Sequence, residues 1–187
     1  VIPVDHTDGG LSQVVISRAP KFGQYLRRAG EDVQSGEVVL RAGEQLDHRL
    51  IGLLSAIGRN SVVAHPRPRV VVISVGAELL EPGSEHQIGR TVDTAGPMLA
   101  AAVIESGCNA YRVGPIADDI DVLRNTIEDQ LVRADLVLLA YSTASSSLET
   151  LAALLPEYVA GELEQVMMQP GAVQGFALVG EEQVPLI

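Results

Sequence analysis

Residues 134–150, ADLVLLAYSTASSSLET, set a run of hydroxyl side chains between an apolar strand and a helix, the place where an α/β protein commonly holds a phosphate. Ser142, Thr143, Ser145 and Ser146 can offer hydroxyls there, and the start of the helix offers backbone amides. The loop contains no glycine, although glycine lets the backbone reach positive φ and lets a phosphate approach the amides closely. Ser146 and Glu149 also form an S-x-x-E capping box, which gives that serine a structural task, and Glu149 puts negative charge where an anion would otherwise gain from the helix dipole. Two other acidic segments follow strands, VGAELLEPG at 75–83 and GPIADD at 114–119. Other chemistries find few residues. His6, His48, His65 and His86 are scattered without a partner at metal-ligand spacing, and Ser142 has no local histidine to act as its base. Neither a Walker loop nor G-x-G-x-x-G is present.

The elements that must position these segments read as follows. Residues 69–75, RVVVISV, are a continuous apolar run of the kind buried on both faces of a sheet. Asp93 or Thr94 can cap a helix through Pro97 to Ser106, which Gly107 ends. NAYRVG is the next strand, and Ile120, Leu123, Ile127 and Leu131 then fall at helical spacing. LVLLA at 136–140 is a third strand, SLETLAALLPEY the helix after it, and EQVMM a fourth strand. Four alternations of strand and helix predict a parallel sheet with helices on both faces, whose ligands sit beyond the carboxyl ends of the strands.

The first third reads differently. Residues 1–20 alternate around Asp8-Gly9-Gly10, which predicts a hairpin whose first strand starts at Ile2. Gly30, Gly36 and Gly43 punctuate what reads as short strands and turns, followed by one helix from Asp47 to Ile57. HPRPR at 65–69 is a two-proline break that serves as the linker.

Composition bounds the function. The apolar fraction of 47% with only 3% aromatics requires a core of Val, Leu, Ile and Ala. The net charge of −11 argues against nucleic acid and anionic membrane as partners while leaving room for a local anion pocket. A single cysteine, Cys108, reads as a buried thiol in a reducing cytoplasm, and the apolar runs are too short to span a bilayer. The chain starts at Val1 without methionine and stops in apolar QVPLI, which predicts that both ends continue.

RRAGEDVQSGEVVLRAGEQL, VVISVGAELLEPG, the Asp93 that opens the next helix, VGPIADDIDVLRNTI, DQLVRADLVLL and VMMQPGAVQGFALVG, taken in order and spacing, resemble the molybdopterin molybdenumtransferase family, the MoeA and gephyrin E-domain proteins. The competence-damage family shares the strand, the Gly-x-Glu-Leu turn and the Asp-helix. It has no counterpart of MQPGAVQGF or RRAGEDVQSG, which decides between the two. The resemblance implies an α/β, molybdopterin-binding-type three-layer domain with a parallel-rich sheet, preceded by a small β-rich module. Residues 1–20 would end a β-rich domain, 21–65 would be part of an elongated domain, and 66–187 most of the pterin-binding domain. It further implies a cytoplasmic homodimer in molybdenum cofactor biosynthesis. Such an enzyme binds molybdopterin and adenylylated molybdopterin, takes up molybdate and uses Mg2+.

By the same resemblance Glu78 is a catalytic carboxylate that can hold the metal or order a water; its alternative is a first-turn charge on a short helix. Asp32, in GEDV, matches a second catalytic carboxylate, although Gly-Glu-Asp is also an ordinary turn. Asp93, Asp118, Ser142 and Ser146 match substrate-binding positions, with helix capping or dipole charge as the alternative for the aspartates. The chain departs from the family where a Ser-Gly-Gly-x-Ser loop becomes Ser142-Thr143-Ala144-Ser145-Ser146. It departs again where a lysine near Pro-Gly gives way to Gln169 and Ala172. Three readings remain open at this level: the family enzyme, a non-enzymatic pterin-binding or dimer-forming scaffold of the same fold, and an α/β module for another small anion.

Overall fold

The computed structural model describes residues 1–141, the backbone of 145–147, and 148–187 in full. The chain divides into two compact units, Val1–Ala64 and His65–Ile187.

The second unit is built on a six-stranded sheet of β1 (Arg69–Val75), β4 (Asn109–Ile116), β5 (Leu136–Tyr141), β6 (Val159–Gln165), β7 (Val173–Val179) and β8 (Val184–Leu186). Its spatial order is β4-β1-β5-β8-β7-β6, with β4, β1, β5 and β8 mutually parallel and β7 antiparallel to both of its neighbours. A separate parallel pair, β2 (Leu79–Leu80) with β3 (Thr91–Val92), closes the base of the loop after β1. Strand β1 is buried from Val70 to Val75, as a central parallel strand covered on both faces must be.

Alternation along β1 sorts its side chains between two cores. Val71, Ile73 and Val75 pack with Leu123 and Ile127 of α3 (Ile120–Leu131) and with Leu151 and Leu154 of α4 (Ser145–Leu154). Val70 and Val72 face the other way, against Leu99 and Val103 of α2 (Ala95–Glu105). Half-buried Cys108 lies at this second core, less enclosed than its apolar neighbours in the sequence predict. Helices on both sides make the expected three-layer α/β unit.

One difference concerns the fourth strand. The segment after α4 and a 3-10 turn (Leu155–Glu157) forms β6 over Val159–Gln165, ahead of the EQVMM expected. It sits at the far edge of the sheet, and the place beside β5 goes to β8. The reason is connection geometry. β6 returns through an antiparallel pairing with β7, and β7 pairs in turn with β8, so two reversals of chain direction bring residues 184–186 to β5.

The first unit corrects the strand expectation more fully. Among its described residues there is one β-bridge, Thr7 with Ile16, and a 3-10 turn at Val4–His6 stands where the first strand was expected. Residues 21–44 form four turns of one design. The backbone N–H groups of Lys21, Arg28, Gln34 and Arg41 each donate to the side-chain oxygen three residues on, of Gln24, Glu31, Glu37 and Glu44, at 2.8–3.3 Å. The same acceptor residues return their own N–H to the first residue's carbonyl at 3.0–3.2 Å, and the third residue is a glycine at φ between +77° and +92°. This is the type II arrangement, in which the third position demands glycine. The glycines that punctuate the sequence therefore terminate turns whose backbone groups are satisfied locally, and the intervening extended pieces find no ladder partner in this unit. Helix α1 (His48–Ala56) is the one expected, with Asp47 Oδ1 accepting from the N–H groups of Arg49 and Leu50.

Candidate functional site

The carboxyl ends of β1, β4 and β5 lie at one edge of the sheet, and hydrogen bonds tie their loops together there. Gly76 N–H, just past β1, donates to Ile116 O at the end of β4 at 3.0 Å. Thr150 of α4 donates its hydroxyl to Asp118 O at 2.9 Å. Tyr141, the last residue of β5, donates its hydroxyl to Val173 O at 2.9 Å, which brings the turn of residues 166–172 to the same edge.

Glu78 and Asp118, both half-buried, stand on two of these joined loops. Glu78 is in a turn that runs directly into β2, so the short helix offered as its alternative setting does not form. Asp119 caps α3, with Oδ1 accepting from the N–H groups of Asp121 and Val122 at 3.0 Å. Asp118 is left on the loop before it. Gln169 lies in the 166–172 turn, closed by Val166 N–H to Ala172 O at 2.7 Å and by the Gln174 side-chain amide to Gly171 O at 2.7 Å.

Among the described residues Asp93 is the one buried carboxylate, 1% exposed. Its Oδ1 accepts from Gly96 N–H at 2.9 Å, capping α2, and its Oδ2 accepts from Arg112 Nη1 at 3.2 Å. Thr94, the other candidate cap, makes no side-chain cap bond. Arg112 also forms a close ion pair with Glu81 through Nη2. It stands on β4 opposite Val72 of β1, on the α2 face of the sheet. Ser74, fully buried on that face, has a hydroxyl with no hydrogen-bond partner. Gly96 lies against it, so that a Cβ there would stand 2.4 Å from Ser74 Oγ and 2.6 Å from Asp93 Oδ2.

Asp32 belongs to the first unit. It is exposed, ion-paired with Arg27, and lines a cleft of about 520 Å³ between the Gly30 turn and the Leu53 and Ile57 side of α1. Ser142 lies outside the described residues, as do Thr143 and Ala144. Ser146 falls in the first turn of α4, which begins at Ser145, rather than at the cap position that the S-x-x-E spacing predicts. Among the described residues no group of three or more His, Cys, Asp or Glu side chains is placed to hold a metal by itself, and no helix is long and apolar enough to cross a membrane.

Sequence reasoning singled out Glu78, Asp93 and Asp118 and passed over Ser74, Glu81, Gly96, Arg112 and Tyr141. Two signals for them existed. Ser74 is the one polar residue inside RVVVISV after its first position, and Arg112 is the one charge inside NAYRVG.

A mostly parallel α/β sheet with acidic loops at its carboxyl edge defines the fold class, and comparison with known proteins gives the family. Residues 71–185 match the family model described as "Probable molybdopterin binding domain", and residues 1–58 match "MoeA N-terminal region (domain I and II)". The chain belongs to the molybdopterin molybdenumtransferase, or MoeA, family. It is 40% identical over 185 residues to molybdopterin molybdenumtransferase 1 of Mycobacterium tuberculosis, covering 99% of this chain and 43% of that protein. To molybdopterin molybdenumtransferase 2 of the same organism it is 34% identical, covering 96% of this chain and 46% of the relative. A crystal structure of a Pyrococcus molybdopterin biosynthesis MoeA protein superposes with a TM-score of 0.69 at 26% identity, over 100% of this chain and 46% of that one. The chain thus spans less than half the length of the relatives it matches.

Proposed function

We propose that this chain provides the pterin-binding unit of a molybdenum cofactor biosynthesis protein that binds molybdopterin and adenylylated molybdopterin and takes part in inserting molybdate. The observation that carries this reading is the joining of the Glu78 loop, the Asp118 loop and the 166–172 turn at the carboxyl edge of a parallel sheet. Membership of the family and the names of the relatives support the choice of ligand.

Mg2+ typically takes one or two carboxylates and completes its shell with water and substrate phosphate. Glu78, with Asp118 on the adjoining loop, fits that donor set, and the ion would neutralise phosphate charge. Asp118, Ser142 and Ser146 orient the substrate, and Asp93 shapes the loop that follows β2. Asp32 serves as a second carboxylate in the working protein, a cytoplasmic homodimer. Residues 1–20 end a β-rich domain, 21–65 belong to an elongated domain, and 66–187 form the pterin-binding domain.

A second reading, a scaffold that binds pterin without turnover, is favoured by one observation, Thr143 and Ala144 in place of two glycines. Equilibrium titration with molybdopterin and with its adenylylated form, with and without Mg2+, tests the proposal. The unaltered chain should bind both, with Mg2+ tightening the adenylylated form, and Glu78→Gln should remove the Mg2+ effect. Absence of binding to either form would overturn the proposal.

A further inference from the structure

The segment from Glu81 to Asp93 carries the loop between β2 and β3 and then β3 itself, and its residues 81–90 are exposed throughout. Both ends are gripped by one side chain. Arg112, projecting from β4, pairs with Glu81 through Nη2 and donates to Asp93 Oδ2 through Nη1. The turn bearing Glu78 is the inner strand of the same loop base. Glu78 O accepts from Thr91 N–H at 2.9 Å, Leu80 O accepts from Asp93 N–H at 2.8 Å, and Leu79 N–H donates to Gly76 O at 3.1 Å.

We infer that Arg112 is a positioning residue for Glu78, a guanidinium pin that fixes both ends of the 81–93 loop and, through the Thr91 and Asp93 amides, the turn that presents the carboxylate. The inference rests on the proposed role of Glu78 for its functional half; the pin itself stands on geometry alone. A planar guanidinium with donors in a fixed fork can hold two carboxylates at once, whereas a lysine ammonium reaches them only as a point charge on a flexible stem. Asp93 is buried while Glu81 is half-exposed, so the Arg112–Asp93 contact is the anchor and the Arg112–Glu81 contact the latch. The three side chains together carry one net negative charge, and the guanidinium keeps the two carboxylates from repelling across the loop base.

Amide hydrogen exchange and molybdopterin titration on the same chain test both halves, using Glu81→Gln, Arg112→Lys and Arg112→Met. Glu81→Gln is the variant least able to disturb folding, because Glu81 is exposed. Exchange at Thr91 and Asp93 should rise about tenfold in Arg112→Met, which removes both contacts, and by a smaller factor in Glu81→Gln and Arg112→Lys, while the amides of β1 and β5 stay unchanged. The Mg2+-dependent part of adenylylated molybdopterin affinity should fall in the same order, with partial rescue by lysine, while Mg2+-free affinity holds. Unchanged exchange at Thr91 and Asp93 in Glu81→Gln would overturn the pin. Faster exchange with an unaltered Mg2+ effect would overturn the positioning role. Failure of the unaltered chain to bind would instead remove the reading of the site, and the positioning role with it.

Discussion

Replacing Gly96 with alanine probes how closely α2 is drawn onto the sheet. In an ordinary helix the change is favourable by about 1 kcal/mol, because alanine loses less backbone freedom than glycine. Here the new Cβ would stand 2.4 Å from Ser74 Oγ, 2.6 Å from Asp93 Oδ2 and 3.4 Å from Arg112 Cδ. The first two distances are far inside van der Waals contact, and Ser74 and Asp93 are both buried, so neither can swing into solvent. Relieving such a contact by shifting the helix costs about 1–3 kcal/mol. Moving α2 outward also stretches the 2.9 Å bond from Gly96 N–H to Asp93, and losing a cap costs about 1 kcal/mol more. The helix-propensity gain offsets roughly one of these terms, leaving Gly96→Ala less stable by about 2 kcal/mol. Urea unfolding followed by far-UV circular dichroism measures it. Adding Ser74→Ala removes the nearest atom, so the double variant should recover about 1 kcal/mol. Stabilisation of Gly96→Ala by the propensity value alone would refute the close approach.

Other outcomes follow from the same structure. Ser74→Ala and Tyr158→Phe each delete a buried hydroxyl without a partner and should be neutral or stabilising by up to about 1 kcal/mol in urea melts. Leu123→Ala, in the core between α3 and β1, should cost about 3 kcal/mol by the same assay. Hydrogen bonding to Arg69 holds the Asp135 carboxyl below its usual range, so its stabilising contribution is present above the unfolded-state pKa and is lost as pH falls through the folded value. The stability difference between the unaltered chain and Asp135→Asn, measured by thermal melts across acid pH, should therefore shrink as pH is lowered.

Much of the second unit was legible because its signals are those that burial imposes. A short apolar run rich in β-branched residues is the mark of a buried parallel strand, and Leu123 and Ile127 at helical spacing are the fully buried residues of α3. β8 carried no such signal: three residues with a proline in the middle read as a tail, and only its neighbours on both sides make it a strand. The turns of residues 21–44 announced themselves through glycine, but not through the side chains of Gln24, Glu31, Glu37 and Glu44, whose bonds to backbone amides three residues back satisfy groups that strand pairing would otherwise use. The site divides along the same line. Glu78 and Asp118 could be found from their place after strands. Arg112 could not be joined to Glu81 and Asp93 until β4 was laid beside β1, since that contact belongs to the register and to no local pattern.

The measurement that tests the central claim most directly is chemical-shift mapping of molybdopterin on the isotopically labelled chain. The account predicts perturbations grouped at residues 76–78, 117–119 and 166–172, with the amides at the amino ends of β1 and β4 unmoved. Shifts confined to the first unit, or to the opposite edge of the sheet, would contradict it.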